Sequence, residues 1–329
     1  MKLLRSKNTV HIFLITLFAI TACKKSSVNA YSNVDVYIAG NVAASDGKFT
    51  ACYWKNGART ELTDGSSSAS GALGIAVSNN NVYVVGNNAL FEGMYWVNGI
   101  IHKLGNQTTA LAIAVSNGDV YVAGTDSLGA CYWKNGQVTQ LQNGAINDCR
   151  GCLAVQDSDV YIAGVNSGGA CYFKNGTAVP LTNGPAASRP SCIAVSGSSV
   201  YVGLSIDYNG LAYWKDNAAI AFPQHAFGLA TGLAVSGSNV YFSGSTYANG
   251  ALVGTYWKNG QATQLTYQNN YATGANAIAV NGKDIYIAGG ANRDVAIGPS
   301  LSGAILWKNG AMTVVDQDGS AYAIAVVPR

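Results

Sequence analysis

Charged side chains are scarce. Asp, Glu, Lys and Arg make up 11% of the 329 residues, against roughly a quarter in an average globular protein. The formal charge of +3 comes from Lys2, Arg5 and Lys7, which no acid accompanies; the other 16 basic residues match the 16 acidic ones. A nucleic-acid partner is not expected, because it requires a basic face that neutralises phosphates. Histidine is rarer still, three in all. His11 falls in a leader, which leaves His102 on an outer strand and His225 in a connection. There is no G-x-S-x-G elbow and no phosphate-cradling loop. No catalytic residue, metal or cofactor is therefore expected; a Ser-His-Asp set would have to be assembled in space. No stretch carries the period of a long amphipathic helix. No apolar run spans a bilayer comfortably.

What the chain does contain is glycine, 39 residues of it, with many β-branched and aromatic side chains. That mixture suits sheets buried on both faces. Residues 1–22 read as a targeting segment, a basic start followed by the apolar run Val10–Ile20. The segment ends Ile20-Thr21-Ala22-Cys23, an aliphatic residue, two small ones and a cysteine. This ending resembles the bacterial lipobox. The resemblance implies cleavage before Cys23, lipidation of Cys23, and an exported protein anchored by lipid in the bacterial outer membrane or cell envelope. An ordinary secretory signal followed by an unrelated cysteine is the plainer alternative. Residues 23–33 then form the lipidated cysteine and a short polar tether.

From residue 34 to residue 329 the chain is one array. Tyr37, Tyr83, Tyr121, Tyr161, Tyr201, Tyr241 and Tyr286 mark its seven units, spaced 46, 38, 40, 40, 40 and 45 residues apart. A period near forty with strand-like pieces belongs to propellers and arrays. Residues 113–141 show the unit. Ile113-Ala114-Val115 is strand A, Val120 to Gly124 is B, Ala130 to Lys134 is C, and Gln137 to Leu141 after Asn135-Gly136 is D. Asn-Gly between strands is a strong hairpin signal. It recurs at Asn56, Asn98, Asn175, Asn259 and Asn309, with Asp216-Asn217 in the fifth unit.

The middle of strand A is alanine throughout: Ala76, Ala114, Ala154, Ala194, Ala234, Ala279 and Ala325. Strand C carries Trp54, Trp96, Trp133, Phe173, Trp214, Trp257 and Trp307. Small residues at one register and large aromatics at another form a wedge, which radially packed sheets require. The fold expected is an all-β, seven-bladed β-propeller of four-stranded blades. The array starts on strand B and ends on strand A, so the C-terminal strand must complete the first blade, closing the ring and covering an edge. The IAV-turn-VYVAG hairpins resemble the YVTN-type repeats of bacterial extracytoplasmic β-propellers. That resemblance implies a fold and a compartment and carries over no catalytic residue. The WD dipeptide, the Gly-His signature and the sialidase-type Asp box are missing.

Strands alternate in direction, so the A–B and C–D turns share one face, here the turn face, where they are short and uniform. The B–C and D–A connections share the opposite face, the loop face, where they vary as binding loops do. Charge breaks the repeat there, in Asp148, Arg150, Arg189 and His225. So do aromatics, in Tyr208, Phe222, Phe227, Tyr247, Tyr267 and Tyr271. Arginine forks suit carboxylates, and loop aromatics stack on sugars or anchor a protein. The plainer reading is that the aromatics cap the blades and the arginines are solvated. The expectation is a non-catalytic envelope lipoprotein that binds a glycan, peptide or protein partner, with Arg150, Arg189 and His225 rimming one part of the central opening. A polysaccharide hydrolase or lyase acting at the same face, and a structural scaffold, are the alternatives.

The Asx or Ser before each strand B (Asn81, Asp119, Asp159, Ser199, Asn239, Asp284) lacks the further oxygens calcium needs. These residues are expected to bond their own backbone in turns. Cys52, Cys131 and Cys171 share a strand C register and read as small core residues. Cys152 and Cys192 precede strand A, and Cys149 completes a C-x-x-C with Cys152. Buried thiols are the preferred reading, with a Cys149–Cys152 or Cys152–Cys192 disulfide as the alternative that export permits.

Overall fold

The protein is seen in a computed structural model that describes residues 30–43, 47–63, 70–146, 150–181, 188–206, 210–216, 218–222, 228–248, 251–265, 272–292 and 303–329. Each Asn-Gly pair reverses the chain as expected. Asn135 (φ 48°) and Gly136 (φ 83°) both lie in the left-handed region that a type I′ turn demands. The asparagine also clamps the neighbouring strand. Its N–H donates to Val120 O (2.9 Å), its Oδ1 accepts from the Val120 N–H (2.8 Å), and its Nδ2 donates to Asp119 Oδ1 (2.7 Å). The same three bonds recur at Asn56, Asn98, Asn175, Asn259 and Asn309. At Asp216 the outer pair is reversed, with Ser199 Oγ donating to the carboxylate. The side chains before strand B thus differ from the expectation of local turn chemistry. They bond the turn of the neighbouring hairpin, which lies sixteen residues away in sequence at Asp119.

Lys55, Lys134, Lys174, Lys215, Lys258 and Lys308 add a second stitch, each standing 5.2–5.6 Å from the centre of a strand B tyrosine ring. Blade 2 has Val97 at this position.

The strands pair into seven sheets, six of four strands and one of five. Blade 1 runs outward from the axis as Gly319–Pro328, Val34–Ala43, Phe49–Lys55 and Ala58–Glu61. The chain is thus a seven-bladed β-propeller whose C-terminal strand closes the first blade. The strand C aromatics fill the wedge: Trp54, Trp96, Trp133, Phe173, Trp214, Trp257 and Trp307 are at most 4% exposed.

Six inner strands shift register by one residue against strand B, at Leu73, Leu111, Ser191, Thr231, Asn276 and Tyr322. A bulge of this kind bends the strand and re-aims its side chains. It also presses a carbonyl onto the glycine that ends VYVAG. Thr109 O sits where a Cβ on Gly124 would be, and Gly71 O and Gly274 O do the same at Gly86 and Gly289.

The ring is fastened at Asp35. Its carboxylate accepts from Asn56 Nδ2 (2.8 Å) and Arg329 Nε (2.7 Å), with Lys55 Nζ at 3.1 Å. The Asn56 bond first, then Arg329, hold its pKa down to about 2. The unfolded value is about 3.9, so the folded value is depressed. The stabilisation is complete above the unfolded pKa and is lost as pH falls towards the folded one. Acid titration of stability is expected to show Asp35→Asn losing less than the unaltered protein between about pH 4 and about pH 2. Parallel curves across that window would remove Asp35 from the closure.

Candidate functional site

Blade 4 departs from the repeat at the axis. Its inner strand is broken into Gly144–Ala145 and Leu153–Gln156, both paired with Asp159–Asn166. After the undescribed residues 147–149, Arg150 and Gly151 precede the second piece. Gly151 bridges Cys192 of blade 5, and its carbonyl accepts the Ile193 N–H at 2.9 Å. A Cβ here would lie 3.1 Å from Thr231 O of blade 6 and 3.2 Å from Cys192 Cβ. Glycine lets the backbone approach this closely, and the approach carries Arg150 into the central channel.

The guanidinium carbon of Arg150 stands 4.2 Å from the ring centre of Tyr322. Tyr322 is the bulge residue of the closing strand in blade 1, three blades away around a ring of seven. The contact therefore crosses the axis. Arg150 Nε is buried and has no hydrogen-bond partner. The two groups border a cavity of about 120 Å³ midway along the inner strands, walled by Ile75, Ile113, Leu233, Ile278 and Ile324. Thr231 and Asn276 also line it. Their side chains are committed to neighbouring blades, Thr231 Oγ1 to Ala275 O at 2.5 Å and Asn276 Nδ2 to Ala321 O at 2.7 Å.

Of the site residues expected from sequence, Arg150 alone is placed at this cavity. Arg189 is exposed, paired in register with Ser205, and is not among the lining residues. Cys23, Asp148, Tyr208, His225, Phe227, Tyr267 and Tyr271 lie outside the described residues. Tyr247 falls in the strand Asn239–Ala248 opposite Leu252, with its side chain outside them. Phe222 answers to the plainer of the two sequence readings, an aromatic that packs on the blades. It is 7% exposed and packs edge-on to Phe242 at 5.3 Å and against Trp257 at 5.9 Å, so it fills the blade 5–6 wedge and is not a loop aromatic.

The cysteines Cys52, Cys131, Cys152, Cys171 and Cys192 are free and buried. Cys152 packs with Val160, Ile162 and Ile193, whereas Cys192 packs with Phe222, Phe242 and Trp257. The two thiols belong to different wedges, which is why their neighbourhood in the chain of blades does not become a disulfide. Cys149 lies outside the described residues. Burial pushes the Cys131 and Cys192 thiols up to about 12 and Cys171 to about 11. They stay protonated and poor as nucleophiles. Among the described residues no three of His, Cys, Asp and Glu gather as metal ligands do.

Sequence reasoning did not single out Tyr322, Thr231 or Asn276. A signal existed: two positions before the I of each IAV, the units read Leu73, Leu111, Gly151, Ser191, Thr231, Asn276 and Tyr322. This is a varied register followed by one that is small throughout, Gly74, Ala112, Cys152, Cys192, Gly232, Ala277 and Ala323. The exposed Leu90, Phe91 and Leu128 of the B–C connections, each at least 67% exposed, were also missed.

No protein-family model matches the chain, and no curated protein does. Solved structures do. The computationally designed protein Ika8 is 14% identical with a TM-score of 0.47, over 82% of this chain and 98% of that one. Apo AztD from Citrobacter koseri is 12% identical with a TM-score of 0.43, over 89% and 98%. The polysaccharide lyase Uly1 is 11% identical with a TM-score of 0.38, over 78% and 90%. Likeness of this degree carries nothing about activity.

Proposed function

We propose that this is an exported, lipid-anchored binding protein that offers its loop face to a glycan, peptide or protein partner. The observation that carries this reading is where the chain enters the ring. Ser32 Oγ accepts from Lys308 Nζ at 3.4 Å, and Asn33 O accepts from the Arg329 N–H at 3.3 Å. Both bonds lie on the turn face, so the tether leaves from there. Six residues separate Cys23 from Ala30, a reach of roughly 25 Å when extended. A lipid on Cys23 would hold the turn face towards the membrane and leave the loop face pointing away. That outward face carries Phe49, Leu90, Phe91, Leu128 and Leu252, each at least 45% exposed. Large apolar side chains standing in solvent on variable connections are what a partner contacts.

Phe91 supports this. It holds φ 57°, a conformation unusual for a bulky residue. It is kept there because its N–H donates to Asn88 O (3.2 Å), its carbonyl accepts from the Thr108 N–H (3.0 Å), and Asn88 Oδ1 accepts from the N–H groups of Leu90 and Glu92. The tip is rigid and already arranged. Two measurements test the reading. Cys23→Ser is expected to move the protein from the detergent phase to the aqueous phase; retention with detergent would overturn the anchor. Arrays of glycans and peptides probed with residues 24–329 should give binding that Leu90→Ser, Phe91→Ser and Leu128→Ser together remove. Binding untouched by that triple change would move the site off the loop face.

A further inference from the structure

The geometry points to a second binding site, inside the ring: the axial cavity takes a small carboxylate with an apolar body, its head on Arg150. This does not rest on the loop-face reading. The first observation is the state of the guanidinium. Arg150 offers five N–H donors, yet its buried Nε has no acceptor. The Tyr322 ring at 4.2 Å attracts the cation through its face but accepts little from the N–H edge. A buried donor without an acceptor is expensive for a fold to keep. The other embedded cation among the described residues is paired: Lys308, 5% exposed, meets Asp284 at 3.3 Å. Among the described residues no carboxylate lines the cavity beside Arg150.

The second observation is the wall. Five blades each contribute an isoleucine or leucine, and the polar side chains of Thr231 and Asn276 are occupied by backbone carbonyls. A hydrated inorganic anion would leave those walls against water. An occupant with one carboxylate and an aliphatic or aromatic body satisfies both halves of the site. The fork of arginine takes the carboxylate, and the branched side chains take the body. The volume of about 120 Å³ is close to that of an engineered apolar cavity of roughly 150 Å³ that admits benzene. By that comparison the body has roughly four to six carbons.

The third observation is how the site is made. Gly151 must approach Thr231 O for Arg150 to reach the axis, and the sheet of blade 4 is broken to allow it. A repeat that elsewhere keeps its inner strand whole departs from the pattern at the residue that carries the charge.

Calorimetric titration of residues 24–329 with butyrate and with benzoate tests the site, with butyramide and inorganic phosphate as contrasts. Saturable binding of a carboxylate, at least about tenfold weaker for butyramide and phosphate, is expected. Arg150→Gln should lose it by about tenfold or more, whereas Arg189→Ala should leave it unchanged. Arg150→Lys keeps the charge without the fork and should weaken binding by a smaller factor. It also serves if the glutamine variant does not fold. Because the pair is shielded, raising salt from low to physiological ionic strength should change affinity by less than about threefold. Absence of saturable carboxylate binding by the folded protein overturns the inference. So does binding that Arg150→Gln and Arg150→Lys leave intact, and so does phosphate binding as tightly as butyrate.

Discussion

Removal of Ala321 to Arg329 is expected to leave a chain with no cooperative unfolding transition. The strand Gly319–Pro328 pairs with Val34–Ala43 from Val34 opposite Pro328 to Val42 opposite Gly319. It is also the hinge of two cores. Ala323, Ala325 and Val327 pack with Ile75 and Val82 of blade 2, while Ala321, Ile324 and Val326 pack with Tyr286 and Ala288 of blade 7. Truncation removes both contacts together and exposes a strand edge ready to pair with another chain. Thermal melting followed by circular dichroism, with light scattering, reads the effect. A truncated protein that melts like the full one would mean that the ring does not depend on this closure.

Gly124→Ala is expected to destabilise by roughly 3 kcal/mol or more, which is large for one methyl group. The new Cβ would fall on Thr109 O and within contact distance of Ala110 Cα. Both are backbone, so no side chain can swing aside. The bulge at Leu111 would have to unwind, and it fixes the inner strand of blade 3. Gly71→Ala is the control. Its nearest neighbour would be Asn41 Nδ2 at 3.9 Å, an ordinary contact, and its cost should stay within about 1 kcal/mol. Urea midpoints compare the two. Equal shifts would mean that the carbonyl moves aside freely and that the glycine of VYVAG is not sterically required.

Much of the ring was legible because it is repeated. One alanine at the middle of strand A says little; Ala76 to Ala325 at the same register say that seven strands converge. The strand C aromatics and the order of strands at the two ends work the same way, and the sheets follow them. Bulges are not legible from alternation, because a one-residue shift between Ala110 and Ala112 leaves the IAV pattern after it intact. Phe222 follows the strand Ala218–Ala221 next to a variable connection and so resembles a loop residue. The wedge between blades 5 and 6 is what claims it. Arg150 could be assigned to the axis but not to a depth. That depends on where Gly151 sits, which is set by its backbone contacts to Cys192 of blade 5 and Thr231 of blade 6.

The way the ends meet decides how the ring bears a pull. A force applied at Asn33 and directed away from the loop face runs lengthwise down Val34–Ala43. That strand is held on both sides, by Gly319–Pro328 and by Phe49–Lys55. Its hydrogen bonds stand across the direction of pull and are strained together, as in shear, instead of opening one after another like a zipper. Forced unfolding is governed by the height of the barrier rather than by the depth of the native state. A ring sealed on its own first strand resists a pull on that strand more than its equilibrium stability alone requires.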